Sequence, residues 1–315
     1  MTTEFLVEAR GLQRRYGSTH AVTDLDLTLR QGEVLGLLGP NGAGKSTTMR
    51  MLTGNLAPSA GEIRINGIDL LDRPREAKRH LGYLPEQPPV YRDMRVDEYL
   101  GYCARLHGLK GGKAAKAMHE AMERCGVAHV KPRLIGNLSK GYQQRVGIAQ
   151  AILHKPAVVI LDEPTVGLDP IQIREIRELV RELGREHAVI LSTHILPEVQ
   201  AVCDRVQMIN RGRTVFDDTL DGLENRHAEP VLVAAFGRPP EEAALRVIEG
   251  VDAVERLADG RFRIRHRADA STAGAIAKAA VEGDWGLTEL SPERATLEQI
   301  FVDLVHREHD TEAAA

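Results

Sequence analysis

The chain has 315 residues, 43% of them hydrophobic and 27% charged, with a formal net charge of −4. That balance suits one large globular domain, or one of roughly 200 residues with a smaller companion, and excludes disorder as a description of the whole. It also excludes a global electrostatic pull toward nucleic acid or an anionic membrane.

The longest apolar stretches, such as Ala157 to Leu161 and Ala188 to Leu191, fall far short of the roughly 20 residues a spanning helix needs. The opening MTTEFLVEAR has no basic region leading into an apolar core, so no secretory signal is expected. Val22, Leu25, Leu27 and Leu29 predict a strand, and Gln31-Gly32 a turn. Glu33 to Leu38 is a short apolar run ending at Gly39, and a helix is predicted from Lys45, with no breaker before Gly54. Gly61 to Gly67 alternates like a strand between two glycines. Residues 95–127 read as largely helical, interrupted at Lys110-Gly111-Gly112. Cys103 and Cys125 in this stretch, with the distant Cys203, read as three reduced thiols and not as a zinc or disulfide set. Tyr142, Val146, Ala149 and Leu153 share one helical face that Pro156 terminates. Ala157 to Leu161 predicts a buried parallel strand, Ile171 to Leu183 a helix, and Ala188 to Ser192 another buried strand. This alternation predicts an α/β domain around a mostly parallel sheet.

The character changes near residue 220. Leu232-Val233 start a strand, Pro240 to Glu249 predicts a helix, and Ala253 to Leu257 with Arg261 to Arg267 predict a hairpin around Asp259-Gly260. An Ala-rich helix over 271–282 and a strand over Trp285 to Leu290 follow. Leu297, Ile300, Phe301, Leu304 and Val305 give one face of a final helix, and His309 to Ala315 a frayed tail. The order β-α-β-β-α-β predicts a small ferredoxin-like α+β unit. The predicted domains are therefore 1–222 and 223–315. Arg261, Arg263, Arg265 and Arg267 share one strand face, with no aromatic residue interleaved, so they read as a solvated face and not as a nucleic-acid ribbon.

Gly39-Pro40-Asn41-Gly42-Ala43-Gly44-Lys45-Ser46 fits G-x-x-x-x-G-K-[ST] between a strand and a helix. Glycines let the backbone curl so that successive N–H groups face phosphate oxygens, and the helix adds its free amides and positive dipole end. Lys45 supplies a point charge and the Ser46 hydroxyl a ligand for Mg²⁺. Val158 to Asp162 is an apolar strand ending in two carboxylates, Asp162 and Glu163, at the edge where parallel sheets bind ligands. Asp162 suits the metal shell, and Glu163, one residue on, suits polarising the attacking water.

With further motifs in the same order, the first ~220 residues resemble the nucleotide-binding subunit of an ATP-binding cassette (ABC) transporter. Leu138-Ser139-Lys140-Gly141-Tyr142-Gln143-Gln144-Arg145 resembles the ABC signature, with Lys140 replacing a Gly and Tyr142 the usual Gln. Gly167-Leu168-Asp169 resembles the D-loop, Ser192-Thr193-His194 the switch histidine, and Tyr16 the aromatic that stacks on adenine. The resemblance implies a P-loop NTPase cassette: a mostly parallel sheet, an antiparallel β subdomain and a helical subdomain, followed by the small appendage. It implies an ATPase with Glu163 and His194 catalytic. ATP would be held by Tyr16 and by Gly39, Pro40, Asn41, Gly42, Ala43, Gly44, Lys45, Ser46 and Thr47. Mg²⁺ would be held by Ser46, Asp162 and Glu86, which stands where the family has its Q-loop glutamine. Two copies would pair head to tail, so that Ser139, Lys140, Gly141, Tyr142 and Gln143 cap the nucleotide of the partner, beside the D-loop residue Asp169. Lys140 itself is expected to point to solvent. The implied partner is a separate membrane permease, which would hold the chain at the cytoplasmic face of the membrane, with Val90, Tyr91, Met94 and Val96 near the docking groove; no nucleic-acid partner is expected. Within that family the chain resembles exporter-type ATPases of bacterial drug-resistance, gliding-motility and copper-maturation systems. The alternative is a soluble ABC ATPase acting on a ribosome or DNA; a single phosphate loop and the absence of coiled-coil or zinc insertions count against it.

Overall fold

The structure, a computed structural model, describes residues 5–222, 230–267 and 271–293. Two compact units divide the chain, Met1–Leu220 and Asp221–Ala315.

The first unit holds two sheets. An antiparallel sheet runs in the order β2 (Thr19–Leu29), β1 (Val7–Tyr16), β4 (Ala60–Ile65), β5 (Ile68–Asp69). The other has six strands in the order β10 (Arg213–Thr219), β9 (Arg205–Asn210), β3 (Val34–Leu38), β8 (Ala188–Thr193), β7 (Val158–Asp162), β6 (Leu81–Leu84). All its pairings are parallel except that of β10 with β9. Every residue of β3, β7 and β8 is buried. A strand covered on both faces has no polar side to show, which is why these three read as unbroken apolar runs. Helix α1 (Lys45–Leu52) contributes Met49, Met51 and Leu52 to a core shared with Leu25 and Leu27 of β2, Leu35 of β3 and Ile63 of β4.

Register aligns the strand ends. Leu38 of β3 faces Thr193 of β8, Asp162 of β7 faces Ser192 of β8, and Leu84 of β6 faces Leu161 of β7. Four neighbouring strands therefore release their chains at one edge, the C-terminal edge of the sheet.

Among the described residues, the α-helices of this unit include α1, α2 (Pro74–Ala77), α3 (Val96–Leu106), α4 (Gly111–Arg124), α5 (Lys140–Ile152), α6 (Pro170–Gly184) and α7 (Leu196–Val202). The break between α3 and α4 lies earlier than predicted. Leu106 ends α3, and Gly111-Gly112 opens α4 instead of interrupting a helix. Gly108, at φ 77, turns the chain there, because its N–H reaches back to the Arg105 carbonyl at 3.0 Å. All three cysteines are buried and unbridged. Burial pushes the Cys125 thiol up to about 12, and raises Cys103 and Cys203 as well.

The second unit carries β11 (Val231–Phe236), α8 (Glu242–Arg246), β12 (Val251–Arg256), β13 (Phe262–His266), α9 (Thr272–Glu282) and β14 (Leu287–Pro292). Its sheet order is β12-β13-β11-β14 and every pair is antiparallel, the ferredoxin-like arrangement. Phe262, Ile264, Leu245 and Ile276 form its core. Helix α8 is shorter than predicted, because the chain turns at Gly250 (φ 87), packed against Thr272, to enter β12. Strand β14 starts later than predicted: Asp284 and Gly286 both have positive φ, and Trp285 between them donates its backbone N–H to the Ala280 carbonyl at 3.0 Å and packs edge-on to Phe236. Arg263 pairs with Glu293 at 2.7 Å and Glu255 at 3.3 Å, and Arg261 with Asp259 at 2.7 Å, so acids neutralise much of this basic face. The predicted helix over Leu297 to Val305 lies outside the described residues. Among the described residues no helix is long and apolar enough to cross a membrane.

Candidate functional site

A cavity of about 380 Å³ opens at the edge where β3, β6, β7 and β8 end. Asn41, Gly42, Gly44, Lys45, Ser46 and Thr47 form one wall, and Glu86, Glu163, Val166 and His194 face them, with Ala21 of β2 at the rim.

The first wall is the loop from β3 into α1. Two glycines are required by space. A Cβ on Gly39 would overlap the Ile209 carbonyl, and one on Gly44, at φ 109, would sit 2.7 Å from the Ala21 carbonyl oxygen. Lys45 is the first residue of α1 and is buried. Its Nζ donates to the carbonyls of Gly39 (2.7 Å) and Pro40 (3.2 Å), which fold the loop around the ammonium. No acidic residue occupies the first turn of α1, and its N-cap makes no side-chain hydrogen bond. The helix therefore turns its free amides and positive end toward the cavity. Gly39, Pro40 and Ala43 shape the loop from behind and do not line the cavity.

The opposite wall is acidic. Glu86 follows β6 and Glu163 follows β7; Asp162, the last residue of β7, is buried beside Glu163 and does not itself line the cavity. Lys45 Nζ lies 3.8 Å from Glu163 Oε1. Burial lowers the pKa of Lys45, against the pull of Glu163 and Asp162. Burial likewise raises the Asp162 carboxyl; a nearby Ser192 hydroxyl and Lys45 oppose this, while Glu163 and Glu86 add to it. Yet neither Asp162 Oδ1 nor Ser192 Oγ reaches a partner at hydrogen-bonding geometry, although both are buried. An unpaired buried carboxylate oxygen beside two further carboxylates suits a divalent cation. Among the described residues no three His, Cys, Asp or Glu side chains converge to hold a metal unaided, so such an ion needs oxygens from a ligand as well.

His194 follows β8, and its Nδ1 lies 3.0 and 2.9 Å from the two oxygens of Glu163. The carboxylate only accepts, so Nδ1 carries the hydrogen. Glu163 holds a left-handed backbone, φ 49. That kink turns its side chain off the line of Asp162 and toward Lys45 and His194.

Other expected site residues lie elsewhere. Tyr16 is 44% exposed at the β1–β2 hairpin, with the Arg14 guanidinium 4.8 Å from its ring centroid, and does not line the cavity; Ala21 of the same hairpin does. Ser139 caps α5 by accepting from the Tyr142 N–H at 3.4 Å. Gly141 packs against the Gln172 side chain, Gln143 Nε2 donates to the Leu138 carbonyl at 2.9 Å, and the Tyr142 hydroxyl lies 3.1 Å from His129 Nε2. Lys140, expected to point to solvent, is exposed but lies against Gly167, where the missing side chain leaves room for its ammonium. Asp169 caps α6, accepting from the Gln172 N–H at 2.9 Å, and Arg145 of α5 pairs with Glu175 of α6. None of the residues 139–143 lines the cavity of its own chain. Val96, expected near a docking groove, is fully buried, whereas Tyr91 is 54% exposed.

Sequence reasoning missed Ala21 and Val166, which carry no chemical signal. It also missed Glu198, a buried carboxylate that accepts hydrogen bonds from Thr165 and Thr193.

The family profile described as ABC transporter matches residues 22–166. The bacitracin transport ATP-binding protein BcrA of Bacillus licheniformis is 33% identical over 305 residues, covering 95% of this chain and 97% of that protein. The ABC transporter ATP-binding protein NatA of Bacillus subtilis is 39% identical over 217 residues, 68% of this chain and 88% of that one. A solved structure of an ATP-binding subunit of an ABC transporter superimposes with a TM-score of 0.65 at 32% identity, covering 70% of this chain and 92% of its own. The chain carries a glycine-cradled lysine at a helix start, opposed by carboxylates from two adjacent strand ends, and, matched by one of these relatives across nearly its whole length, it belongs to the ABC transporter family as an ATP-binding subunit that hydrolyses ATP to power transport.

Proposed function

We propose that the chain is the ATPase of an exporter-type transporter whose channel is a separate membrane permease, and that it works as a nucleotide-sandwich dimer at the membrane's cytoplasmic face. The observation that carries this reading is the convergence of four strand ends on one cavity. The loop after β3 brings amides and Lys45, β6 leads to Glu86, β7 to Glu163 with Asp162 buried beside it, and β8 to His194. The relatives' full-length match, including one named for bacitracin transport, supports export.

In this reading Lys45 and the amides at the start of α1 bind the β- and γ-phosphates. Ser46, Asp162 and Glu86 hold Mg²⁺, which when bound neutralises phosphate charge between the two walls. Glu163 accepts a proton from the attacking water, and His194 orients its carboxylate through the Nδ1 hydrogen bond. Tyr16, exposed on the hairpin whose Ala21 lines the cavity, stacks on adenine. Ser139 to Gln143 and Asp169 act on the nucleotide of the partner copy. Tyr91 offers exposed apolar surface to the permease.

Hydrolysis by the full chain tests the assignment. Glu163→Gln should slow turnover by about 10²–10⁴-fold while ATP still binds. Lys45→Ala should instead weaken binding of ATP, and chelation of Mg²⁺ should stop turnover of the wild type. A Glu163→Gln protein that hydrolyses at the wild-type rate overturns the role given to that carboxylate.

A further inference from the structure

We propose that Glu198 is a positioning residue for ATP hydrolysis: a buried two-oxygen clamp that fixes the Glu163–His194 pair. This rests on the reading of Glu163 as the base. Glu198 lies in the first turn of α7 and is 1% exposed. Its Oε1 accepts from the Thr165 hydroxyl at 2.5 Å, and its Oε2 from the Thr193 hydroxyl at 2.8 Å. Both threonines are themselves buried.

The two clamped positions are the ones the chemistry depends on. Thr165 stands two residues after Glu163, inside a turn closed by the Val166 N–H on the Glu163 carbonyl (3.3 Å) and the Leu168 N–H on the Thr165 carbonyl (3.2 Å). Thr193 directly precedes His194, and its oxygen also accepts from the Ile195 N–H at 3.1 Å. One side chain therefore anchors both chain segments that carry the Glu163–His194 hydrogen bond. A backbone bond, Glu163 N–H to the Ser192 carbonyl at 3.0 Å, ties the same segments on their other side.

The choice of residue matters. A carboxylate offers two acceptors and no donor, so it receives two hydroxyl hydrogens at once. Glutamine offers one acceptor and one donor, and satisfies the pair only if one hydroxyl reverses. No ion pair of Glu198 with Lys, Arg or His is found among the described residues. A buried carboxylate without a paired cation is costly to keep, and here the two hydroxyl bonds and the positive end of α7 compensate it.

The experiment compares full-length Glu198→Ala, Glu198→Gln, Thr165→Val, Thr193→Val and Thr165→Ser, with Glu163→Gln alongside. It reads kcat and KM for Mg-ATP hydrolysis separately, together with ATP binding and the midpoint of thermal unfolding. Glu198→Ala should lower kcat by about 10–100-fold, the size expected when a reacting group is displaced by an ångström, with KM and ATP affinity within about twofold. Glu198→Gln, which can meet both hydroxyls only if one reverses, should lose less than Glu198→Ala; Thr165→Ser should keep most of the wild-type kcat, and either Thr→Val change should reproduce part of the loss. If Glu198→Ala does not fold, the isosteric Thr→Val variants decide. The clamp is overturned if the Ala and Val variants keep wild-type kcat, or if kcat falls only in step with lost ATP binding or lost folded protein. A dead Glu163→Gln beside a fully active Glu198→Ala sinks the clamp and leaves the base standing. A fully active Glu163→Gln sinks both.

Discussion

Glu163 shows how a single residue can be held against its own preference. A non-glycine residue at φ 49 is in the left-handed region, where its Cβ crowds the backbone at a cost of roughly 1–2 kcal/mol. Glycine and alanine substitutions remove the same carboxylate, but only glycine relieves the backbone strain. Chemical denaturation should therefore find Glu163→Gly more stable than Glu163→Ala by about 1 kcal/mol, with both inactive. Equal stability would show that the backbone here is relaxed. The residues of the phosphate loop were legible in the sequence because all their chemistry is local: Gly39 to Ser46 are consecutive, and each acts from its own backbone position. Asp162 and Glu163 were legible because a buried strand ends where they begin. Glu198 was not, because its partners Thr165 and Thr193 come from two other segments and no spacing links them to it. Nor did any signal mark Ala21, whose only role is to be near.

Among the elements, three meet at a pair of histidines. His107 follows α3, His154 follows α5, and their rings stack 3.7 Å apart at 7°. His154 Nε2 donates to the carbonyl of Leu81, the first residue of β6, at 3.0 Å, which leaves its buried Nδ1 without a partner. Burial first, and the neighbouring His107 second, hold His154 down to about 4, and burial lowers His107 too. The unfolded chain protonates near the ordinary 6.5, so protons favour unfolding between that value and about 4. Stability is full above pH 6.5 and is lost as pH falls through this window. At pH 5 the loss from His154 alone is about 2 kcal/mol. Urea midpoints at pH 7.5 and 5 should show it, and His154→Gln should flatten the difference; an unchanged pH dependence in that variant would place the titration elsewhere. The helices joined here were visible as amphipathic stretches, and the buried strands as apolar runs. Their exact ends were not: Gly108 stops α3 by a local bond to Arg105, while Gly250 against Thr272 and Trp285 against Phe236 turn the chain through tertiary contacts that no local pattern records.

At the scale of the whole molecule, the signature segment stands apart from the cavity of its own chain, with Ser139 and Gly141 engaged in capping α5 and packing on α6. If that segment completes a site, it does so on another copy. Sedimentation of Glu163→Gln should show a monomer that becomes a dimer with Mg-ATP and not with ADP, and a strictly monomeric variant with undiminished wild-type turnover on dilution would sink the sandwich. The three buried cysteines have a consequence for following this chain in solution. Each thiol is hidden and resists ionisation, so a thiol reagent reacts only when the surrounding structure opens. Cys103 sits in α3, Cys125 ends α4 and Cys203 follows α7, all within the first unit, and the second unit contains none. Labelling is thus a clock that ticks for the cassette and is silent for its appendage, and the native chain already serves as an unreactive background into which a single surface cysteine can be placed for a spectroscopic probe.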